Sequence, residues 1–389
     1  MLYRALKLSP RASHFLFGPR QVGKSTLVQS LLGRDDLYVN LLHERTLFDF
    51  LRDPGKFRAE VLAHRAAHPE TLCVVDEIQR LPGLLNEVHD LIESEGLRFV
   101  LTGSSARKLK RGAANLLAGR ARTHQLFPLL ASEVGGAFEL ERALRIGMLP
   151  WLWAQAAEPT EEREFLSSYA DTYLREEVQA EGVVRNIGPF VRFLDVAAAD
   201  DGAIVNASTV ARDCGVSVKT VQSYYQVLED TFLALRVDAH QRSVRKRLVT
   251  HPRYYFFDMG ITNALCKEAG ALLGRETRGR RFEQFVVTQT KATLSYRGAD
   301  VELRFWRTAG GAEVDLLLCR GQTLLAAIAI KSSERELRDL SGLEAFHEEH
   351  PRVPLFAIGV LERPRALGPV RALPWQDFLD ELPSIVEQG

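Results

Sequence analysis

The chain has 389 residues, 46% of them apolar, and its 50 Lys and Arg are balanced by 50 Asp and Glu. That much apolar surface suits two or three packed domains and excludes a disordered chain, while zero net charge excludes a chain-wide basic field, so any anion-binding surface must be local. Cys73, Cys214, Cys266 and Cys319 lack C-x-x-C spacing and read as reduced core thiols; no apolar run nears the ~20 residues of a membrane span, and the first residues, with Arg4, Lys7 and Arg11, lack a signal core, so a cytoplasmic location without a membrane partner is expected.

In chain order, residues 14–17 form an apolar run that reads as a buried strand, followed at once by Gly18, Pro19, Arg20, Gln21, Val22, Gly23, Lys24, Ser25 and Thr26. The spacing is G-x-x-x-x-G-K-[ST]. Glycines let the backbone curl its N–H groups around phosphates, Lys24 reaches β/γ oxygens, Ser25 can ligate Mg²⁺, and the dipole of a helix over residues 24–32 adds positive potential. ATP and Mg²⁺ are therefore the expected cofactors. About fifty residues on, an apolar strand over 72–75 ends in Asp76 and Glu77, the first suited to holding Mg²⁺ and the second to polarising the attacking water. The spacing suits the strand next to that of the phosphate loop. A third strand, 99–102, runs into Thr102, Gly103 and Ser104; Thr102 is the first candidate for a hydroxyl that senses the γ-phosphate and Ser104 the second.

With further strands at 38–41 and 123–127, alternating with helical patterns, residues 1–150 predict a parallel sheet covered by helices. Arg120, beside Gly119, is placed to reach a neighbouring subunit's γ-phosphate. Residues 160–200 have the period of packed helices. Next, Ser208 and Ser217 are placed to cap two helices with Gly215 in the turn, a helix-turn-helix pattern. On its second helix Val218, Val221, Tyr225 and Leu228 make an apolar stripe that leaves Lys219, Thr220, Gln222 and Ser223 outward, types able to meet phosphates and base edges. Arg236, Arg242, Arg245, Lys246, Arg247 and Arg253 then stand against the single acid Asp238. Flanked by strand-like runs at 232–237 and 254–257, this basic tract reads as the tip of a hairpin wing, with Arg245, Lys246 and Arg247 as phosphate contacts. Winged helices also dock proteins, so a protein partner is the second expectation for this surface. The last third is α/β again, with a helix from Phe282 and strands at 301–306, 313–319 and 324–331.

Together, Gly18 to Thr26, Asp76-Glu77-Ile78-Gln79, Leu101 to Ser105, Leu117 to Arg120, Tyr173 to Glu177, Lys246-Arg247-Leu248, Tyr255 to Gly260 and Gly311 to Asp315 resemble a bacterial and archaeal family of AAA+-type ATPases. The resemblance covers nearly the whole chain. It implies an α/β fold: an AAA+/ASCE-type P-loop NTPase domain over 1–150, a helical and winged-helix domain over 151–275, and a restriction-endonuclease-like domain over 276–389. It also implies a homo-oligomer, expected to be a ring, in which Arg120 acts in trans. The nuclease fold gathers Mg²⁺ with a helix glutamate, a strand aspartate and an acid-x-lysine pair; Glu283, Asp315 and Lys331 match, but Ala329 stands where a carboxylate belongs, so this site reads as degenerate even if Glu313 partly substitutes. The expected function is an oligomeric ATPase that couples turnover to DNA binding or remodelling. The alternatives are a nucleotide-gated switch or scaffold for a protein partner, and an ATP-dependent nuclease.

Overall fold

The computed structural model describes residues 2–105, 117, 119–154, 157–173, 187–240 and 251–388, and structural statements concern these. Its first part runs β1 (Ser13–Phe17), α1 (Lys24–Leu31), β2 (Leu37–Asn40), α2 (Glu44–Arg52), α3 (Pro54–Ala67), β3 (Leu72–Asp76), α4 (Leu84–Glu95), β4 (Arg98–Gly103) and β5 (Ala121–Gln125). Local chemistry marks the ends: Asp53 caps α3 by accepting from Gly55 N–H, with Pro54 in the first turn, and α4 stops at Gly96, whose φ of 64° suits glycine.

All five strands pair in parallel in the order β2-β3-β4-β1-β5. Strands buried on both faces need continuous apolar runs, which is why β1 is buried along its whole length. One face packs Phe15, Val75, Phe99 and Leu101 against Phe50, Phe57, Val61 and Val88 of α2 to α4. On the other face Leu16, Val74 and Val100 share a core with Val28 of α1 and with the helices that follow. One expectation is corrected here. The strand ending in Asp76 does not neighbour β1; β4 lies between them, pairing Leu16 with Thr102 on one side and Val75 with Leu101 on the other. Sequence spacing gives strand existence but not lateral order, which these inter-strand registers set.

The middle consists of α5 (Ala131–Val134), α6 (Leu140–Ile146), α7 (Pro150–Ala154), α8 (Pro159–Ser168), α9 (Ile187–Ala199), α10 (Ala207–Cys214) and α11 (Val218–Asp230). Helices α10 and α11 form the expected pair: Gly215 takes φ 67° between them and Ser217 caps α11 by accepting from Thr220 N–H. Asn206, not Ser208, caps α10, its side chain accepting from both Ser208 and Thr209 N–H; an Asx side chain two residues ahead outcompetes the serine. Val218 is exposed rather than part of the apolar stripe, because the first turn of α11 projects beyond the core, whereas Val221, Tyr225 and Leu228 are buried.

Strands β6 (Ala234–Ala239) and β7 (Arg253–Phe256) pair antiparallel, and α12 (Met259–Leu265) follows. Gly260 is dictated by packing, since a Cβ there would lie 2.1 Å from the Ile146 carbonyl oxygen. The rest is α13 (Arg275–Tyr296), β8 (Glu302–Arg307), β9 (Glu313–Arg320), β10 (Thr323–Lys331), α14 (Ser341–Glu349), β11 (Leu355–Gly359), β12 (Arg365–Leu367), β13 (Val370–Pro374) and α15 (Trp375–Gln388). The β6–β7 pair extends further: β6 also pairs in parallel with β8, so both strands belong to an eight-stranded sheet ordered β12-β13-β11-β10-β9-β8-β6-β7. That sheet thus draws strands from both sides of residues 275/276. Helices α13 and α15 cover one face through Phe285, Val286 and Phe378, and α14 covers the other through Leu343 and Phe346. Among the described residues no helix is long and apolar enough to cross a membrane, and Cys73, Cys214, Cys266 and Cys319 are free thiols.

Candidate functional site

The glycine loop leaves the carboxyl end of β1, where ligands of open α/β sheets bind. Its turn needs unusual backbone: Gly18 lies at φ 153°, Gln21 at 64° and Gly23 at 90°. At Gly18 a Cβ would lie 2.3 Å from the Leu126 carbonyl oxygen, so only glycine lets the loop pass the end of β5. Lys24 is buried, and its Nζ donates to the carbonyl oxygens of Gly18 and Pro19, 2.8 Å each, which holds the ammonium inside the curl. Ser25 stands in the first turn of α1, half-buried, with Thr26 exposed beyond it.

The acidic pair is bound into a polar cluster. Asp76, buried at the end of β3, accepts from Tyr38 Oη at 2.5 Å and from Thr102 Oγ1. Burial, then the bond to Asp76, pushes the Tyr38 phenol well above its ordinary range, so it stays a donor. Glu77 sits at φ 62°, a left-handed conformation costly for a branched-free acid only by ~1–2 kcal/mol. Its N–H donates to Thr102 Oγ1 at 3.1 Å, and its carboxylate accepts from Gln79 Nε2, which also reaches Ser104 Oγ at 3.0 Å. Thr102 thus has its one proton on Asp76: the hydroxyl fixes the acidic pair, and Ser104 is the hydroxyl left to donate. Arg120 donates from Nε to Glu93 of α4 within the same chain.

Residues 11–135 match the model of an AAA domain. Residues 137–274 and 278–371 match two domains of unknown function, DUF8612 and DUF4143. An uncharacterized protein of Haemophilus influenzae is 24% identical over 280 residues, covering 65% of this chain and 69% of its own length. The structure of the Aeropyrum pernix ORC1 protein in complex with DNA is similar over 66% of this chain and 87% of that one, at 14% identity and a TM-score of 0.30.

The stretch that matches the AAA model, with its parallel sheet and phosphate loop, has the P-loop NTPase fold, whose loop is of the nucleotide-binding type. Outside it, Lys219 and Gln222 are exposed on α11, and Thr220 is half-buried with its Oγ1 2.8 Å from Ser217 Oγ. Arg245, Lys246 and Arg247 lie outside the described residues, as do Arg242 and Leu174 to Glu177. Of the two ends of the basic tract, Arg253 is buried, and the exposed Arg236 pairs with Asp238 at 2.8 Å.

Arg253 reaches the third set of candidates. It donates to Glu283 at 3.3 Å and to Glu313, with its guanidinium over the Phe305 ring at 4.7 Å. Glu283 also accepts from Tyr255 Oη at 2.7 Å, and Asp315 accepts from Ile330 N–H at 2.7 Å. Burial, then the Asp315 charge, pushes Glu283 up to about 7 against the pull of Arg253; burial also raises Asp315, with Lys331 opposing. This set does not fit a divalent cation. A fixed guanidinium already neutralises two of the acids, Ala329 offers no oxygen, and among the described residues no group of three or more His, Cys, Asp or Glu could hold a metal ion. The earlier signal was there, since Arg253 is conspicuous in sequence; its direction was not.

Proposed function

We propose that the AAA domain binds ATP with Mg²⁺ and hydrolyses it. The observation that carries this is the alignment of two polar clusters on adjoining strand ends: the Lys24 loop after β1, and the Asp76–Thr102–Glu77 cluster across β3 and β4. In this reading the N–H groups of Gly18 to Thr26 surround the phosphates and Lys24 compensates their charge. Ser25 and Asp76 fit Mg²⁺, being hard oxygen donors of which one is a carboxylate, as that ion prefers. When bound, Mg²⁺ neutralises charge on the β and γ oxygens. Glu77 accepts the proton of the attacking water, held in place by Gln79 and Thr102; Ser104, rather than Thr102, donates towards the γ-phosphate. Arg120 serves a neighbouring copy in a homo-oligomer, which requires it to leave Glu93. The test is Glu77→Gln: the variant binds ATP as wild type does but turns it over at least about a hundredfold more slowly, within the range of general-base removal. Normal turnover by this variant would take the role from Glu77.

For the remainder we propose a helical and winged-helix region over 151–275 and a degenerate restriction-endonuclease-like region over 276–389, with turnover coupled to DNA. Support comes from the capped helix pair α10–α11, the β6–β7 hairpin, and outward Lys219 and Gln222. DNA-stimulated turnover that falls with salt, and that Lys246→Glu with Arg247→Glu abolishes, is expected. Turnover indifferent to DNA would favour the switch that docks a protein. The Arg253-filled acidic set speaks against a nuclease; Mg²⁺- or Mn²⁺-dependent cutting lost in Asp315→Ala would restore that alternative.

A further inference from the structure

Arg4 belongs to no motif, yet its guanidinium has four partners around the phosphate loop. Nη1 donates to the Val22 carbonyl at 2.6 Å, and Nη2 donates to the Phe127 carbonyl at 2.6 Å and to Tyr296 Oη at 3.0 Å. Nε meets Glu133 at 3.2 Å, and the two side chains are only 8% and 0% exposed. Glu133 is itself fixed, accepting from Ala5 N–H at 2.5 Å and Leu130 N–H at 2.9 Å. Tyr296 Oη also accepts from Phe127 N–H at 3.0 Å, and its ring meets Phe127 edge-on.

The partners decide what this arrangement does. Val22 immediately precedes Gly23 and Lys24, so the peptide whose oxygen Arg4 holds is the one whose N–H belongs to Gly23. A guanidinium on that oxygen fixes the peptide plane and polarises the N–H that the loop offers to phosphate. Tyr296 is the last residue of α13, the long helix of the C-terminal region, which also carries Glu283. Phe127 follows β5, beside β1. One planar fork therefore joins loop, sheet and C-terminal helix, a geometry that lysine, with one compact ammonium, cannot reproduce.

We propose that Arg4 is a positioning residue of the phosphate loop, and that through Tyr296 it ties the loop to α13, so that nucleotide binding and the C-terminal region are energetically coupled. This rests on the nucleotide reading above. Coupling must be reciprocal: what α13 does to ATP affinity, ATP does to α13.

The experiment uses the full chain, with ATP–Mg²⁺ calorimetry, thermal melting, and hydrogen exchange over residues 286–296 with and without ATP. Arg4→Lys is expected to weaken ATP about tenfold, the loss of one or two charge-assisted bonds. Tyr296→Phe, which keeps the ring and removes one oxygen, is expected to weaken it roughly threefold and to abolish the protection that ATP gives residues 286–296. Should Arg4→Lys not fold, Tyr296→Phe decides alone. Variants that melt lower but bind ATP as tightly as wild type would reduce Arg4 to a structural brace and overturn the proposal. ATP binding to wild type without added protection at α13 would overturn it too. Wild type that takes up no ATP would overturn the nucleotide reading first, and the coupling with it.

Discussion

Replacing Thr102 by Val isolates the hydroxyl on which the acidic pair depends. Thr102 is fully buried, and Val has nearly its shape, so no cavity opens and the change is the loss of polar contacts alone. Two are lost: the donation to the Asp76 carboxylate and the acceptance from Glu77 N–H at 3.1 Å. A bond to a charged group contributes ~1.5–3 kcal/mol and an unsatisfied buried donor costs a comparable amount, so a loss of ~2–3 kcal/mol is expected after partial hydration of half-exposed Glu77. For a domain of this size that lowers the melting temperature by roughly 4–10 °C. Function shifts more selectively. The bonds from Lys24 to the Gly18 and Pro19 carbonyls survive the change, so ATP affinity stays within about threefold, whereas Glu77 loses its backbone tether, and a base displaced by an ångström loses on the order of a hundredfold in turnover. Melting curves, calorimetry and phosphate release measure the three quantities. Unchanged melting with unchanged turnover would refute the role given to this hydroxyl, and an equal loss of binding and turnover would place Thr102 on the nucleotide instead.

Arg253→Met keeps the side-chain length but leaves Glu283 and Glu313 without their buried cation, for an expected loss of ~3–5 kcal/mol in urea unfolding at pH 8; no loss would mean the pairs contribute nothing. Glu283 supplies a pH dependence. Its native value, raised to about 7, lies above that of the unfolded chain, so between about pH 4.5 and 7 the native state retains a proton the unfolded state has released, and its contribution is complete in acid and lost as pH rises through 7. Glu283→Gln should therefore lose less stability than wild type between pH 5 and pH 8, and the opposite ordering would contradict the burial argument.

The phosphate loop, the acid-terminated strand and the capped helix pair were legible because each is local: a few adjacent residues contain both the turn chemistry and the side chains that act. What escaped depends on pairing between distant segments. The insertion of β4 between β1 and β3 put the Thr102 hydroxyl on Asp76 instead of aiming it outward, and no spacing encodes that. Arg253 looked like the end of a solvated basic wing, yet β6 pairs with β8 and carries the hairpin into the C-terminal sheet, turning Arg253 onto two acids far along the chain. Ser208 lost its cap to Asn206 within a two-residue window, a competition that residue types alone leave open. Arg4, read only as one of three early basic residues, acquires its partners at separations of 18 to 292 residues.

The most direct measurement is calorimetric titration of the full-length chain with ATP and Mg²⁺, alongside Lys24→Ala. Removing the ammonium that lies against the Gly18 and Pro19 carbonyls takes away the side-chain charge assigned to the phosphates, so wild type binds one ATP per chain and Lys24→Ala binds at least about a hundredfold more weakly. A folded wild-type protein that takes up no ATP at millimolar concentration, or a Lys24→Ala variant that binds as tightly, would contradict the account.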